Sequence, residues 1–167
     1  MPPMEPCRSL ALLSGSLGLL SVLVALSTDF WFVAMGTTSS HSGLWPKEHQ
    51  DPVAGYIHVT QAFSILASLG GLVSVSFLVL SCIPSLSVPG RGPLVSSVTA
   101  FAAALFVMVA MTVYTIERWN QPLNPQIQTF FSWSFYLGWV SALFWVCAGA
   151  LSLGAHCSAP LPGYEAV

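Results

Sequence analysis

Four long apolar runs, parted by short polar stretches, organise the chain at roughly Ser9–Leu26, Ile57–Leu80, Leu94–Ile116 and Phe131–Leu153. A hydrocarbon layer of ~30 Å calls for ~20 apolar helical residues to cross it. Inside that layer a backbone amide finds no partner except within its own helix or a closed barrel, and these runs lack the alternation of barrel strands. The pattern therefore predicts four membrane helices. Pro84 follows the second run and Pro93 stands just ahead of the third, where a missing N–H costs little. The short stretch between them predicts a helical hairpin. The fourth run opens on "FFSWSFYLGW", whose Phe130, Phe131, Trp133, Phe135, Tyr136 and Trp139 suit a headgroup boundary.

Composition sharpens this picture. With 54% hydrophobic and 6% charged residues and a mean hydropathy of +0.75, the chain lies far outside the soluble range. A net charge of −2 without a basic patch excludes nucleic acid as a partner and leaves membrane lipids as the surroundings. One tetraspan domain over residues 1–167 is expected.

Basic residues leave the orientation open, because Arg8 and Arg91 flank one face and Lys47 and Arg118 the other. Cysteines favour one answer: Cys7, Cys82 and Cys157 share a boundary, and the loops of the opposite side carry none. That boundary is assigned to the cytosol, with both termini and a tail at about 155–167. Loops at about 28–56 and 117–130 are then luminal or extracellular. A cleaved leader ending in "ALS" at Ala25–Ser27 is the competing reading, but the first run is longer than a signal h-region.

Small residues recur four apart in every run, as Ser14 with Gly18, Ala67 with Gly71, Ala100 with Ala104, and Gly138 with Ala142. Such pairs let helix backbones approach closely, so a four-helix bundle is expected. The first loop carries the most telling pattern. "STDFWFVAMG" supplies Trp31, and "HSGLWP" supplies Gly43, Leu44 and Trp45. The apolar stretch Phe30–Met35, bounded by Gly36, predicts a strand.

A tetraspan chain with this Trp and Gly-Leu-Trp loop, Gln61-Ala62 in the second helix and an aromatic start to the fourth resembles the peripheral myelin protein and claudin family. The resemblance implies an all-α membrane fold, a left-handed four-helix bundle bearing a small extracellular or luminal β-sheet built from both loops. In claudins two cysteines follow Gly-Leu-Trp and close a disulfide; "PKEHQDPVAGY" after Trp45 has none. Trp31 and Trp45 are expected to anchor the loop to the membrane interface and to one another. At finer grain "GYIHVTQ", "VSVSFLVLSC", "ERWNQP" and "PQIQTFFSWSFYLGWVSA" resemble a family member of the cytotoxic granules of killer T and natural killer lymphocytes. That implies a granule or lysosomal membrane protein that takes part in granule release, among other granule or lysosomal membrane proteins, and reaches the plasma membrane after exocytosis.

Catalytic chemistry is not indicated. Cys-x-x-Cys, a Gly-rich phosphate loop and His-Glu-x-x-His are all absent from the sequence, and no Asp, Glu, Lys or Arg falls within the four runs. No enzyme, cofactor or metal is expected. Hydroxyls at Ser64, Ser74, Ser76 and Thr112 leave a small channel as a minor alternative, although such groups commonly bond to their own helix. His41, His49 and His58 lie in or beside the first loop. With Asp29, Lys47, Glu48 and Asp51 they would carry it from about −2 to about +1 in an acidic lumen, a candidate pH-sensitive loop. Cys7, Cys82 and Cys157 are candidate S-palmitoylation sites. Neither Asn120 nor Asn124 begins a glycosylation sequon.

The tail "LPGYEAV" carries Gly163, Tyr164 and Val167, a tyrosine-x-x-apolar pattern of the kind that clathrin adaptor medium subunits read in extended form. Pro160 and Pro162 bias their neighbours away from helix. The alternatives are an inert terminus and a PDZ ligand ending at Val167. Granule trafficking and exocytosis is thus the expected function, with claudin-like adhesion or barrier formation at the cell surface as the alternative.

Overall fold

The structure, a computed structural model, describes residues 5–45, 55–83, 92–122 and 124–157. In chain order the elements are α1 (Glu5–Ser27), β1 (Phe32–Met35), β2 (Ser39–Ser42), α2 (Gly55–Cys82), α3 (Gly92–Trp119), β3 (Gln128–Phe131) and α4 (Trp133–Cys157). All four helices are long and apolar enough to span a membrane. At 28 residues, α2 and α3 extend about 42 Å at 1.5 Å per residue, beyond the ~30 Å of hydrocarbon, so their ends stand outside it.

The helices form a closed ring in which α1 neighbours α4 and α2, and α3 neighbours α2 and α4. Much of what faces inward is small: Ala67 and Gly71, Ala100, Ala103 and Ala104, Gly138 and Ala142 are buried, around the larger Leu78, Met111 and Trp145. What faces outward is large, with Leu13, Leu20, Leu69, Val98, Leu105 and Leu143 all more than half exposed. A water-soluble bundle would reverse this arrangement. In lipid, apolar side chains gain nothing by leaving the solvent, and close backbone packing drives association instead.

Several buried hydroxyls are bonded between helices of the bundle, while those of Ser152 and Tyr114 find no partner among the described residues. Ser14 donates to the Phe144 carbonyl at 2.7 Å, Ser97 to that of Gly149 at 3.0 Å, and Ser74 and Ser96 bond each other at 3.0 Å while reaching each other's carbonyls. Of the four hydroxyls weighed for a channel, Ser64 and Ser74 face inward while Ser76 and Thr112 face outward, and Ser76 donates to the Leu72 carbonyl at 2.7 Å.

Beyond one end of the ring lies a three-stranded antiparallel sheet in the order β2-β1-β3. β1 is central because its apolar stretch ends at Gly36 and a three-residue turn returns the chain as β2, with Met35 opposite Ser39. β3 comes from the second loop and pairs with the other edge, Phe32 opposite Phe131 and Met35 opposite Gln128. The aromatic start of the fourth run therefore divides differently from the sequence expectation. Phe131 is spent on the sheet ladder, and α4 begins two residues later at Trp133. Helices also outrun the apolar runs elsewhere: α3 continues to Trp119, carrying Glu117 and Arg118 on its last turn, and α4 continues to Cys157. Helical hydrogen bonds do not stop where hydrocarbon does.

Candidate functional site: the cap on the bundle and its cleft

The last carbonyls of a helix have no intrahelical partner. At the sheet end of α1 they are met by side chains from the first loop. The Thr28 hydroxyl donates to the Val24 carbonyl at 2.9 Å, the Trp31 indole N–H to that of Ala25 at 2.6 Å, and the Trp45 indole N–H to that of Leu26 at 2.7 Å. The family loop residues thus act together. Trp31 and Leu44 are almost wholly buried, Trp45 is partly exposed, and the Gln61 side chain on α2 donates to the Leu44 carbonyl. Gly43 allows the fold-back, because a Cβ there would lie 2.7 Å from the Thr28 oxygen and 2.8 Å from Asp29 Cα. The two tryptophans secure the loop by capping α1.

The second loop is tied to the same place. Backbone N–H groups of Ser132 and Ser134, at the start of α4, donate to the carbonyls of Trp31 at 3.0 Å and Phe30 at 3.2 Å, and the Thr28 and Ser134 hydroxyls bond each other. Underneath, the fully buried Tyr114 ring joins Trp31 at 5.1 Å, Tyr56 at 6.1 Å and Phe135 at 6.0 Å, and Phe131 stacks on Phe135 at 4.0 Å. The sheet is held to the bundle by aromatic packing and helix capping.

Arg118 lies over this cluster, its guanidinium carbon 4.4 Å from the Phe32 ring centroid, with Nη2 3.4 Å from the Ser42 hydroxyl. Its Nε is buried without a hydrogen-bond partner among the described residues. Beside it opens a cleft of about 680 Å³, walled by Phe32 and Ala34 of β1, Ile127 just ahead of β3, Thr129 of β3, Trp119 at the end of α3 and Tyr136 of α4. The sequence marks Arg118 only as a lone cation beside a tryptophan; its seat on Phe32 joins residues far apart in the chain and has no local signature.

The other expected residues are placed as follows. Cys7 (partly buried), Cys82 and Cys157 (both exposed) sit at the ends of α1, α2 and α4 away from the sheet, and all four cysteines are free thiols. His41 is on β2, exposed, its ring 4.4 Å from Phe30, which in turn stacks on Trp133 at 5.8 Å; its Nδ1 lies 3.2 Å from the Asp29 carbonyl oxygen. His58 is on the first turn of α2, with Nδ1 3.3 Å from Gln61 Oε1. His49, Gly163, Tyr164 and Val167 lie outside the described residues.

Four membrane-spanning helices, a three-stranded sheet made from both loops on one side, and a Trp and Gly-Leu-Trp cap define a tetraspan membrane protein of claudin type. The chain belongs to the PMP-22/EMP/MP20/Claudin family, which it matches over residues 8–152. It is 71% identical over 165 residues to Protein NKG7 of Bos taurus, spanning 98% of this chain and 100% of that protein, and 72% identical over 163 residues to Protein NKG7 of Homo sapiens, spanning 97% and 99%. A more distant relative is the lens fiber membrane intrinsic protein of Homo sapiens, 28% identical over 149 residues and spanning 83% and 85%.

Proposed function

We propose that this tetraspan protein is a component of the membrane of cytotoxic granules and secretory lysosomes, where it supports regulated granule trafficking and exocytosis in killer lymphocytes. The observation that carries the reading is the Tyr164-Glu165-Ala166-Val167 motif, which follows shortly after α4 ends at Cys157. An extended segment at that short distance from a span presents the tyrosine and the valine to separate pockets, as an adaptor medium subunit requires. The stretches of α2 and α4 that resemble a granule protein supply the cell type. In this reading the capped sheet faces the lumen, both termini are cytosolic, and Cys7, Cys82 and Cys157 lie within reach of cytosolic acyltransferases.

Adhesion or barrier formation at the cell surface is the second reading, favoured by a sheet that lies beyond one end of the helix ring. Against it, the loop has no cysteine pair to staple the sheet. One experiment separates them: killer lymphocytes lacking the protein are complemented with the native chain or with Tyr164→Ala. The native chain is expected at lysosomal-marker membranes and to restore stimulated release, whereas Tyr164→Ala is expected at the plasma membrane. Normal release from the lacking cells, or unchanged lysosomal abundance of Tyr164→Ala, refutes the proposal.

A further inference from the structure

We infer that the cleft beside Arg118 is a binding site for a membrane phospholipid of the sheet-side leaflet, with the lipid phosphate on the Arg118 guanidinium. Three observations converge. The guanidinium is fixed but underused: Phe32 holds it at 4.4 Å, its hydrogen bond to Ser42 is long at 3.4 Å, and its buried Nε has no hydrogen-bond partner among the described residues. A guanidinium held in this way by a ring keeps N–H donors for an oxyanion, and phosphate is the group its fork geometry fits.

Position supplies the second argument. Trp119 and Tyr136, which wall the cleft, stand at the sheet-side ends of two spans and are 78% and 58% exposed. Exposed aromatic residues at span ends mark headgroup depth, so the cleft sits where phosphates are concentrated and acyl chains begin. Third, the lining is of two kinds. Arg118, Gln121, Asn124 and Thr129 offer polar atoms beside Ile127 and the aromatic walls, a combination that suits a headgroup joined to a glyceride. A volume of about 680 Å³ accommodates a phosphoglycerol headgroup with the first carbons of its chains.

The test uses the full chain, purified in detergent and analysed by native mass spectrometry with dioleoylphosphatidylglycerol or with dioleoylglycerol, which has the same tails and no phosphate. Retention of the phospholipid and not of the diglyceride is expected, and Arg118→Gln should lower retention about tenfold, the scale of one charge-assisted hydrogen bond. Thr129→Trp fills the cleft from an exposed strand position and should lower it comparably, which decides the matter should Arg118→Gln fail to fold. Equal retention of the diglyceride, or undiminished retention in a folded Arg118→Gln or Thr129→Trp, overturns the site. Displacement of the lipid by millimolar glycerol 3-phosphate reassigns it to a soluble phosphate and overturns the lipid proposal. So does a dimer of the native chain that Thr129→Trp dissociates while leaving lipid retention unchanged, since the occupant is then a second copy.

Discussion

Trp145 is the largest side chain at the centre of the bundle, fully buried, and it occupies a recess made by glycines on two other helices. A Cβ at Gly71 on α2 would overlap ring atoms Cζ2 and Cη2 and lie 3.1 Å from Cε2; one at Gly18 on α1 would lie 3.1 Å from the same atom. Carbon atoms rest at ~3.5–4.0 Å, so a single methyl at position 71 intrudes by about 1 Å or more. The indole cannot yield, because the far side of its ring is closed by α1. Gly71→Ala must therefore displace α2 from α4 and is expected to cost about 3 kcal/mol, the upper part of the overpacking range. Trp145→Phe withdraws the part of the ring that reaches Gly71, so the double variant Gly71→Ala/Trp145→Phe should be more stable than the sum of its parts by about 1–2 kcal/mol. Gly154→Ala, where an added Cβ meets nothing within 4 Å, is the control and should be near neutral. Reversible unfolding in bicelles, followed by circular dichroism, measures all four variants. A Gly71→Ala protein as stable as the native chain, or an additive cycle, would show that the small-residue recess does not set the α1–α2–α4 packing.

The indole caps make a graded prediction: Trp45→Phe keeps most of the ring but frees the Leu26 carbonyl near solvent and should cost about 1 kcal/mol, while Trp31→Phe strands the Ala25 carbonyl in a buried setting and should cost about 2–3 kcal/mol. Equal losses by thermal unfolding would refute a capping role that depends on burial. For the Ser74–Ser96 clasp, each single alanine variant leaves a buried hydroxyl at the α2–α3 contact; either change should cost about 0.6 kcal/mol and the pair little more. Full additivity in the same unfolding assay counts against a reciprocal clasp.

The amino-acid sequence by itself determined the membrane class, the four spans and the first strand. Each is a local property: hydrocarbon imposes a length and an apolar composition on any one segment, and Phe30–Met35 bounded by Gly36 reads as a strand without reference to the rest of the chain, the ladder itself starting at Phe32. The Trp31 and Gly43-Leu44-Trp45 pattern was legible as a loop signature too, though not the work it does, since the carbonyls of Ala25 and Leu26 are orphaned only once α1 ends where it does. Tertiary structure decided the remainder. Hydropathy cannot say which face of an all-apolar helix turns inward; the small pairs Ala67–Gly71, Ala100–Ala104 and Gly138–Ala142 mark that face in the sequence, but that Trp145 fills the recess at Gly18 and Gly71 was decided by tertiary structure. It also took Phe131 from the fourth span, because a ladder with Phe32 satisfies its backbone more firmly than an exposed first helical turn. Arg118 on Phe32, and the cleft beside them, exist only because β1 and the end of α3, distant in sequence, are brought together by the cap.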